Sequence, residues 1–135
     1  MATIDLESHF LAATEAAAIA AAAWRGKGDG KAADGAAVEA MRAIFDEVPF
    51  DGRVAIGEGE RDDAPMLWIG EPLGSMQGNP DALSIDIAVD PLECTNHVAN
   101  DLPINGSTCC STTWHSTSCT RLLHEQNRRF RRVRG

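Results

Sequence analysis

Residues 84–95 read S-I-D-I-A-V-D-P-L-E-C-T, and the fold turns on how this stretch is taken. Ile85, Ile87 and Val89 alternate with Asp86 and Ala88, a period of two rich in β-branched residues, which predicts a strand. The strand is expected to stop at Asp90. Pro91 has no N–H for a ladder and its φ is fixed near the helical value, so Asp90-Pro91 reads as the N-cap and first position of a helical turn. That geometry gathers Asp90, Glu93 and Thr95 around a helix N-terminus, where free N–H groups favour an anion such as a phosphate. Two carboxylates beside a phosphate need a cation between them. Hard oxygen ligands select magnesium or manganese over zinc.

Upstream, apolar residues recur at helical spacing through residues 5–25, at Leu6, Phe10, Ala13, Ala17, Ala21 and Trp24, and predict an amphipathic helix ended by Gly26 and Gly28. A second helix is expected over residues 34–48, with Val38, Met41, Phe45 and Val48 on one face. Asp34 then stands as its N-cap, a role that competes with metal ligation. Residues 53–57 read as a short strand that runs into a dense acidic group, Glu58, Glu60, Asp62 and Asp63. A charge run is ordinarily a solvated loop. This one follows an apolar strand directly and is punctuated by Gly57 and Gly59, which let backbone approach a ligand. Residues 66–70 read as a further strand, and a Gly- and Pro-rich loop leads from there back to the opening stretch. Helices come first and strands after, an order that indicates α+β layering rather than alternating βαβ units.

At 135 residues the chain suffices for one domain with a real core. Its net charge of −8 is unevenly spread. Residues 1–103 carry 19 acidic and 6 basic side chains, a net of −13, whereas residues 104–135 carry 1 and 6, a net of +5. The acidic part argues against a nucleic-acid surface and suits a cation site. Glu15 and Arg25 interrupt the alanine-rich block before it reaches the length of a membrane span, and Asp5 and Glu7 stand where a secretory signal would be basic. A cytoplasmic protein is expected. Cys94, Cys109, Cys110 and Cys119 form no CxxC knuckle, so the grouping of three of them with His115 and His124 is read as chance rather than as a zinc site. From residue 104 onward a small polar run gives way to an arginine-rich end with no apolar face, and low order is expected there.

Three blocks in order carry a resemblance to a known family: G-K-G-D-G-K-A-A-D-G-A-A-V-E-A-M at residues 26–41, G-E-G-E-R-D-D-A-P-M-L-W-I-G at 57–70, and D-I-A-V-D-P-L-E-C-T-N at 86–96. Together they resemble class II fructose-1,6-bisphosphatase, the bacterial GlpX type, and are especially similar to cyanobacterial members that also hydrolyse sedoheptulose 1,7-bisphosphate. The likeness covers roughly residues 5–103, the N-terminal part of a considerably longer family chain. It implies the layered α+β fold shared with inositol monophosphatases, a Mn²⁺ or Mg²⁺ requirement, a sugar bisphosphate substrate and, for the full-length family, homo-oligomers. Position by position, Asp34, Glu58, Asp90 and Glu93 match metal ligands. Residues Glu93, Cys94 and Thr95 match a substrate-contacting segment, and Glu60 and Asp62, with Thr95, match catalytic positions.

The resemblance implies hydrolysis of the 1-phosphate of the sugar, in gluconeogenesis or the Calvin cycle. Two departures qualify it. Cys94 replaces the family's glycine, so a Cβ stands where backbone approaches phosphate. Residues 104–135 match nothing in the family's second half, which is what a frame shift or truncated gene model would produce. The competing expectation is therefore a catalytically incomplete fragment. A third reading, a small acidic binding module with a basic partner-contacting tail, has only the charge split behind it.

Overall fold

The computed structural model describes residues 5–58 and 66–102, together with the backbone of a strand at residues 111–116. Three helices and four strands follow in the order α1 (Leu6–Ala22), α2 (Gly30–Glu47), β1 (Asp51–Ile56), β2 (Pro72–Leu73), β3 (Ser84–Asp90), α3 (Thr95–Ala99) and β4 (Ser111–Ser116). The arrangement is a small α+β one.

Helix α1 starts where Asp5 accepts the Ser8 amide at 3.2 Å and the Ser8 hydroxyl at 2.6 Å, a side-chain cap for an otherwise unpaired donor. It ends earlier than its alanine periodicity predicts. From Ala21 the amides of Trp24 and Arg25 bond back only three residues, to Ala21 and Ala22, and the chain unwinds into turns. Helix α2 starts four residues before the expected Asp34. Asp29 caps it through the Ala32 amide at 2.9 Å, which leaves the Asp34 side chain inside the helix and free of capping duty. Val48 leaves the helix in an extended conformation (φ −80°, ψ 131°), as a residue before proline is pushed to do.

The sheet order is β2-β1-β3-β4, and it is mixed. Strands β1 and β3 are parallel neighbours, while β2 and β4 pair antiparallel on the outside. The order of helices first and strands after carries no hint of that central parallel pair. Strand β3 runs as its alternation predicts, with Ile85, Ile87 and Val89 buried. In β1 the register slips between Val54 and Ile56. This bulge reverses the in-and-out alternation, so Ile56 is 67% exposed although Gly52 and Val54 are buried.

The strand expected over residues 66–70 does not form. Gly70 takes φ 92° and the buried Glu71 carboxylate turns back to accept the Trp68 amide at 3.2 Å, so a side chain substitutes for ladder bonds. Only isolated backbone bonds join this stretch to β1, from Gly70 to Val54 at 2.7 Å and from Val54 to Glu71 at 2.9 Å. Regular pairing resumes at β2. Beyond the expected boundary at residue 103, β4 pairs with β3 from Asp90↔Ser111 to Ile85↔Ser116. The rest of the basic tail, including Cys109, Cys110, Cys119 and His124, lies outside the described residues.

One core holds these elements together. Ala13, Ala17 and Ala21 on α1 face Ala33 and Ala37 on α2, all buried, and side chains this small let two helix backbones approach closely. Phe10, Phe45 and Phe50 form an aromatic trio with centroids 5.0, 6.3 and 6.4 Å apart. Each buried ring is worth about 1.5–3 kcal/mol of transfer free energy. Val54, Ile85, Ile87 and Val89 turn one face of the sheet into the same cluster. Among the described residues no helix is long and apolar enough to cross a membrane.

Candidate active site

Because β1 and β3 run parallel side by side, their carboxyl ends open on the same edge, the place where α/β sheets bind ligands. Asp90 is the last residue of β3 and Glu58 lies two residues past β1. Asp34 comes to the same edge from the second turn of α2.

Glu58 is set by backbone. Its amide donates to the Leu67 carbonyl at 3.1 Å, and Gly57 before it has no room for a side chain. A Cβ there would stand 2.3 Å from the Leu67 oxygen and 2.7 Å from Val54 Cγ1. Asp90 is held by its own turn, with Oδ1 accepting the Leu92 amide at 3.2 Å. Pro91 and Leu92 are buried behind it.

Two of these carboxylates, Glu58 and Asp34, hold their protons more tightly than usual. Burial, then the charges of Asp34 and Asp90, push Glu58 up to about 7. Burial, then Asp90, raises Asp34 as well. One oxygen of each, Asp34 Oδ1 and Glu58 Oε2, is buried without a hydrogen-bond partner among the described residues. An anionic oxygen taken out of water with no donor is costly, and two such groups beside a third carboxylate cost more. By type, carboxylate oxygens suit a hard divalent cation. Among the described residues, however, no group of three or more His, Cys, Asp or Glu side chains is arranged to hold a metal ion.

The remaining expected site residues are distributed as follows. Glu93 and Cys94 are exposed on the turn after Asp90, and Thr95, half-buried, is the first residue of α3. No helix begins at Pro91. Residues 91–94 form a turn and Cys94 precedes α3 in the left-handed region, φ 59° and ψ 45°, where glycine sits without strain. Glu60 and Asp62 lie outside the described residues.

Sequence reasoning missed the group that anchors the end of the acidic loop. Glu71, 6% exposed, receives Arg42 Nε at 2.6 Å and Nη2 at 3.3 Å, while Nη2 also donates to the Met66 carbonyl at 3.0 Å. Arg42 pairs with Glu39 too. The Glu71 bond raises the affinity of the Arg42 guanidinium for its proton. The one available signal was Arg42 directly after Met41 on the apolar face of α2.

Residues 4–116 match the family model described as bacterial fructose-1,6-bisphosphatase, glpX-encoded. The chain belongs to this family. Its GlpX-type relatives include a D-fructose 1,6-bisphosphatase class 2/sedoheptulose 1,7-bisphosphatase of Synechococcus sp. (strain JA-2-3B'a(2-13)), 56% identical over 94 residues, 63% of this chain and 27% of the relative. Fructose-1,6-bisphosphatase 1 class 2 of Escherichia coli (strain K12) is 50% identical over 95 residues, 70% of this chain and 27% of the relative. The D-fructose 1,6-bisphosphatase class 2/sedoheptulose 1,7-bisphosphatase of Trichormus variabilis (strain ATCC 29413 / PCC 7937) is 51% identical over 109 residues, 75% of this chain and 31% of the relative. The chain thus spans less than a third of the length of these relatives. The resemblance read from the three motif blocks is borne out, and the family match runs past residue 103 to the end of β4.

Proposed function

We propose that this chain carries the cation half of a sugar-bisphosphatase site, in the layered phosphatase fold, acting on the 1-phosphate of fructose 1,6-bisphosphate or sedoheptulose 1,7-bisphosphate in a cytoplasmic setting. The observation that carries this reading is the convergence of Asp34, Glu58 and Asp90 at the carboxyl ends of two parallel strands, with two buried oxygens left unpartnered. Asp34, Glu58 and Asp90, joined by Glu93 from the neighbouring turn, would hold Mn²⁺ or Mg²⁺. When bound, such an ion supplies charge neutralisation to the phosphate oxygens and a lowered pKa to an attacking water.

The chain's own side chains have separate duties. The Thr95 hydroxyl, at the start of α3, orients the attacking water by hydrogen bonding. Glu60 or Asp62 in the acidic loop accepts its proton. Glu93, Cys94 and Thr95 contact substrate, with the left-handed backbone at Cys94 turning the chain toward it.

The share of the relatives that is matched, 27–31%, favours a second reading for the 135-residue chain by itself: it binds the cation but does not turn over substrate. One experiment separates the two. Phosphate release from fructose 1,6-bisphosphate is followed with and without Mn²⁺, beside Mn²⁺ binding by electron paramagnetic resonance. Release abolished in both Asp90→Ala and Glu93→Ala supports the enzyme. Binding that is lost in Asp90→Ala with no release by the parent supports the incomplete site, and absence of Mn²⁺ binding removes both readings.

A further inference from the structure

Helix α1 is apolar on both of its faces. The inner stripe, Leu6, Phe10, Ala13, Ala17 and Ala21, is buried in the core. The opposite stripe, Leu11, Glu15, Ala18, Ile19 and Ala22, is exposed, with Leu11 57% and Ile19 74% open to solvent. From Ala16 to Ala23 every residue is alanine except Ile19. A surface helix ordinarily turns charged and polar residues outward. Here a leucine and an isoleucine two turns apart, with alanines around them, make one apolar strip interrupted only by Glu15.

The ends of the strip carry opposite charge. Glu7 is exposed at its start, and Arg25 and Lys27 are exposed just past its end. A surface of this kind complements itself when turned about a two-fold axis, because the acidic end of one helix then meets the basic end of the other. Parallel helices instead set Glu7 and Glu15 against their own copies. In the antiparallel arrangement with Leu11 over the partner's Ala22, Glu15 lies over the partner's Ala18 and Glu7 comes beside the partner's Arg25 and the partner's Lys27. Small side chains at these crossings let the two backbones approach closely. We propose that the outer face of α1 is a contact between two copies of this chain, closing antiparallel on the same helix of the second copy.

The area sets the strength. Seventeen residues make a helix about 26 Å long, and a strip about 10 Å wide then covers roughly 500 Å² over both copies, well under the ~1,200 Å² of a stable interface. The association is therefore weak and concentration-dependent, with a dissociation constant of about 10 µM to 1 mM.

Sedimentation equilibrium of the 135-residue chain across that range, in chelator so that no cation takes part, tests the contact. The parent is expected to pass from monomer to dimer. Ile19→Lys and Leu11→Lys are each expected to raise the dissociation constant at least about tenfold, and Glu7→Lys about threefold, with Lys27→Glu added to Glu7→Lys restoring most of that loss. These side chains are exposed, so circular dichroism of the dilute variants should match the parent; if Ile19→Lys does not fold, Leu11→Lys is read by the same criterion. A parent that stays monomeric throughout overturns the proposal, whether water or another part of the chain meets the strip. Association undiminished in both lysine variants places the contact elsewhere and overturns it as well. Association lost in those variants but not weakened by Glu7→Lys overturns the antiparallel arrangement.

Discussion

Replacing Glu58 with glutamine keeps the shape of the side chain and removes one of three negative charges at the carboxyl ends of β1 and β3. In the folded protein Glu58 is raised from 4.5 to about 7, by burial first and then by Asp34 and Asp90. Between those two values the folded state holds a proton that the unfolded state has released. Stability contributed at this position is therefore present below about pH 4.5 and is lost progressively as pH rises to 7, after which the penalty is constant. At about 1.36 kcal/mol per pH unit the undiscounted penalty is about 3.4 kcal/mol. Glu58 is only half-buried and solvent screens much of its charge, which leaves roughly 1–2 kcal/mol.

At about 3–5 °C per kcal/mol for a chain of this size, Glu58→Gln should melt roughly 3–10 °C above the parent at pH 8 in metal-free buffer, and with it at pH 4.5. Saturating Mn²⁺ should reverse the order at pH 8, because ligand binding to the folded state stabilises the parent by mass action and the variant less. Melting followed by circular dichroism at the two pH values, with chelator and with Mn²⁺, gives all four points. A variant less stable than the parent in chelator at pH 8 would refute the electrostatic reasoning. Equal stabilisation of both proteins by Mn²⁺ would remove Glu58 from the ligand set.

Three further outcomes are expected. Glu71→Ala removes the buried partner of the 24%-exposed Arg42 guanidinium but leaves it Glu39 and the Met66 carbonyl, and should destabilise by about 1.5–3 kcal/mol in denaturant titration; a loss below about 0.5 kcal/mol would mean that Glu39 or water replaces the carboxylate. Gly57→Ala forces a Cβ to within 2.3 Å of the Leu67 carbonyl, so a loss of about 1–3 kcal/mol is expected, with weaker Mn²⁺ binding because Glu58 is displaced; an unchanged melting temperature would show that the strand end yields freely. Cys94→Gly relieves a left-handed non-glycine residue and should stabilise by about 0.5–1 kcal/mol after the entropy lost by glycine in folding, a gain visible as a higher urea midpoint; destabilisation would mean that the thiol makes contacts that offset its backbone strain.

What the sequence made legible follows from how local each determinant is. Strand β3 was readable because one buried face imposes strict alternation over Ile85, Ile87 and Val89, and nothing nearby competes. Helix α1 was readable for the same reason at helical period. The start of α2 was misplaced because both Asp29 and Asp34 are good caps, and the residues between them give no apolar signal that ranks one over the other. The stretch at residues 66–70 misled more deeply. Met66, Leu67, Trp68 and Ile69 have strand composition, but a carboxylate five residues on, paired to an arginine from a different element, bends the backbone and replaces the ladder.

The candidate site shows the same division between chemistry and placement. The family resemblance singled out Asp34, Glu58 and Asp90, yet their proximity depends on β1 and β3 being parallel neighbours, and two strands separated by a long loop are equally compatible with an antiparallel pairing. The bulge at Ala55 lies beyond sequence reading too, since a register slip leaves no mark on composition, although it decides how the chain leaves β1 toward Glu58. Asp34 changes meaning as a result. Once Asp29 takes the cap, the Asp34 carboxylate has no duty toward its own helix, and its buried Oδ1 is left without a donor within reach of the like charge of Asp90. A side chain of this kind, held in place by an otherwise well-capped helix and doing nothing for that helix, makes Asp34 the position at which the proposed cation reading is most directly tested.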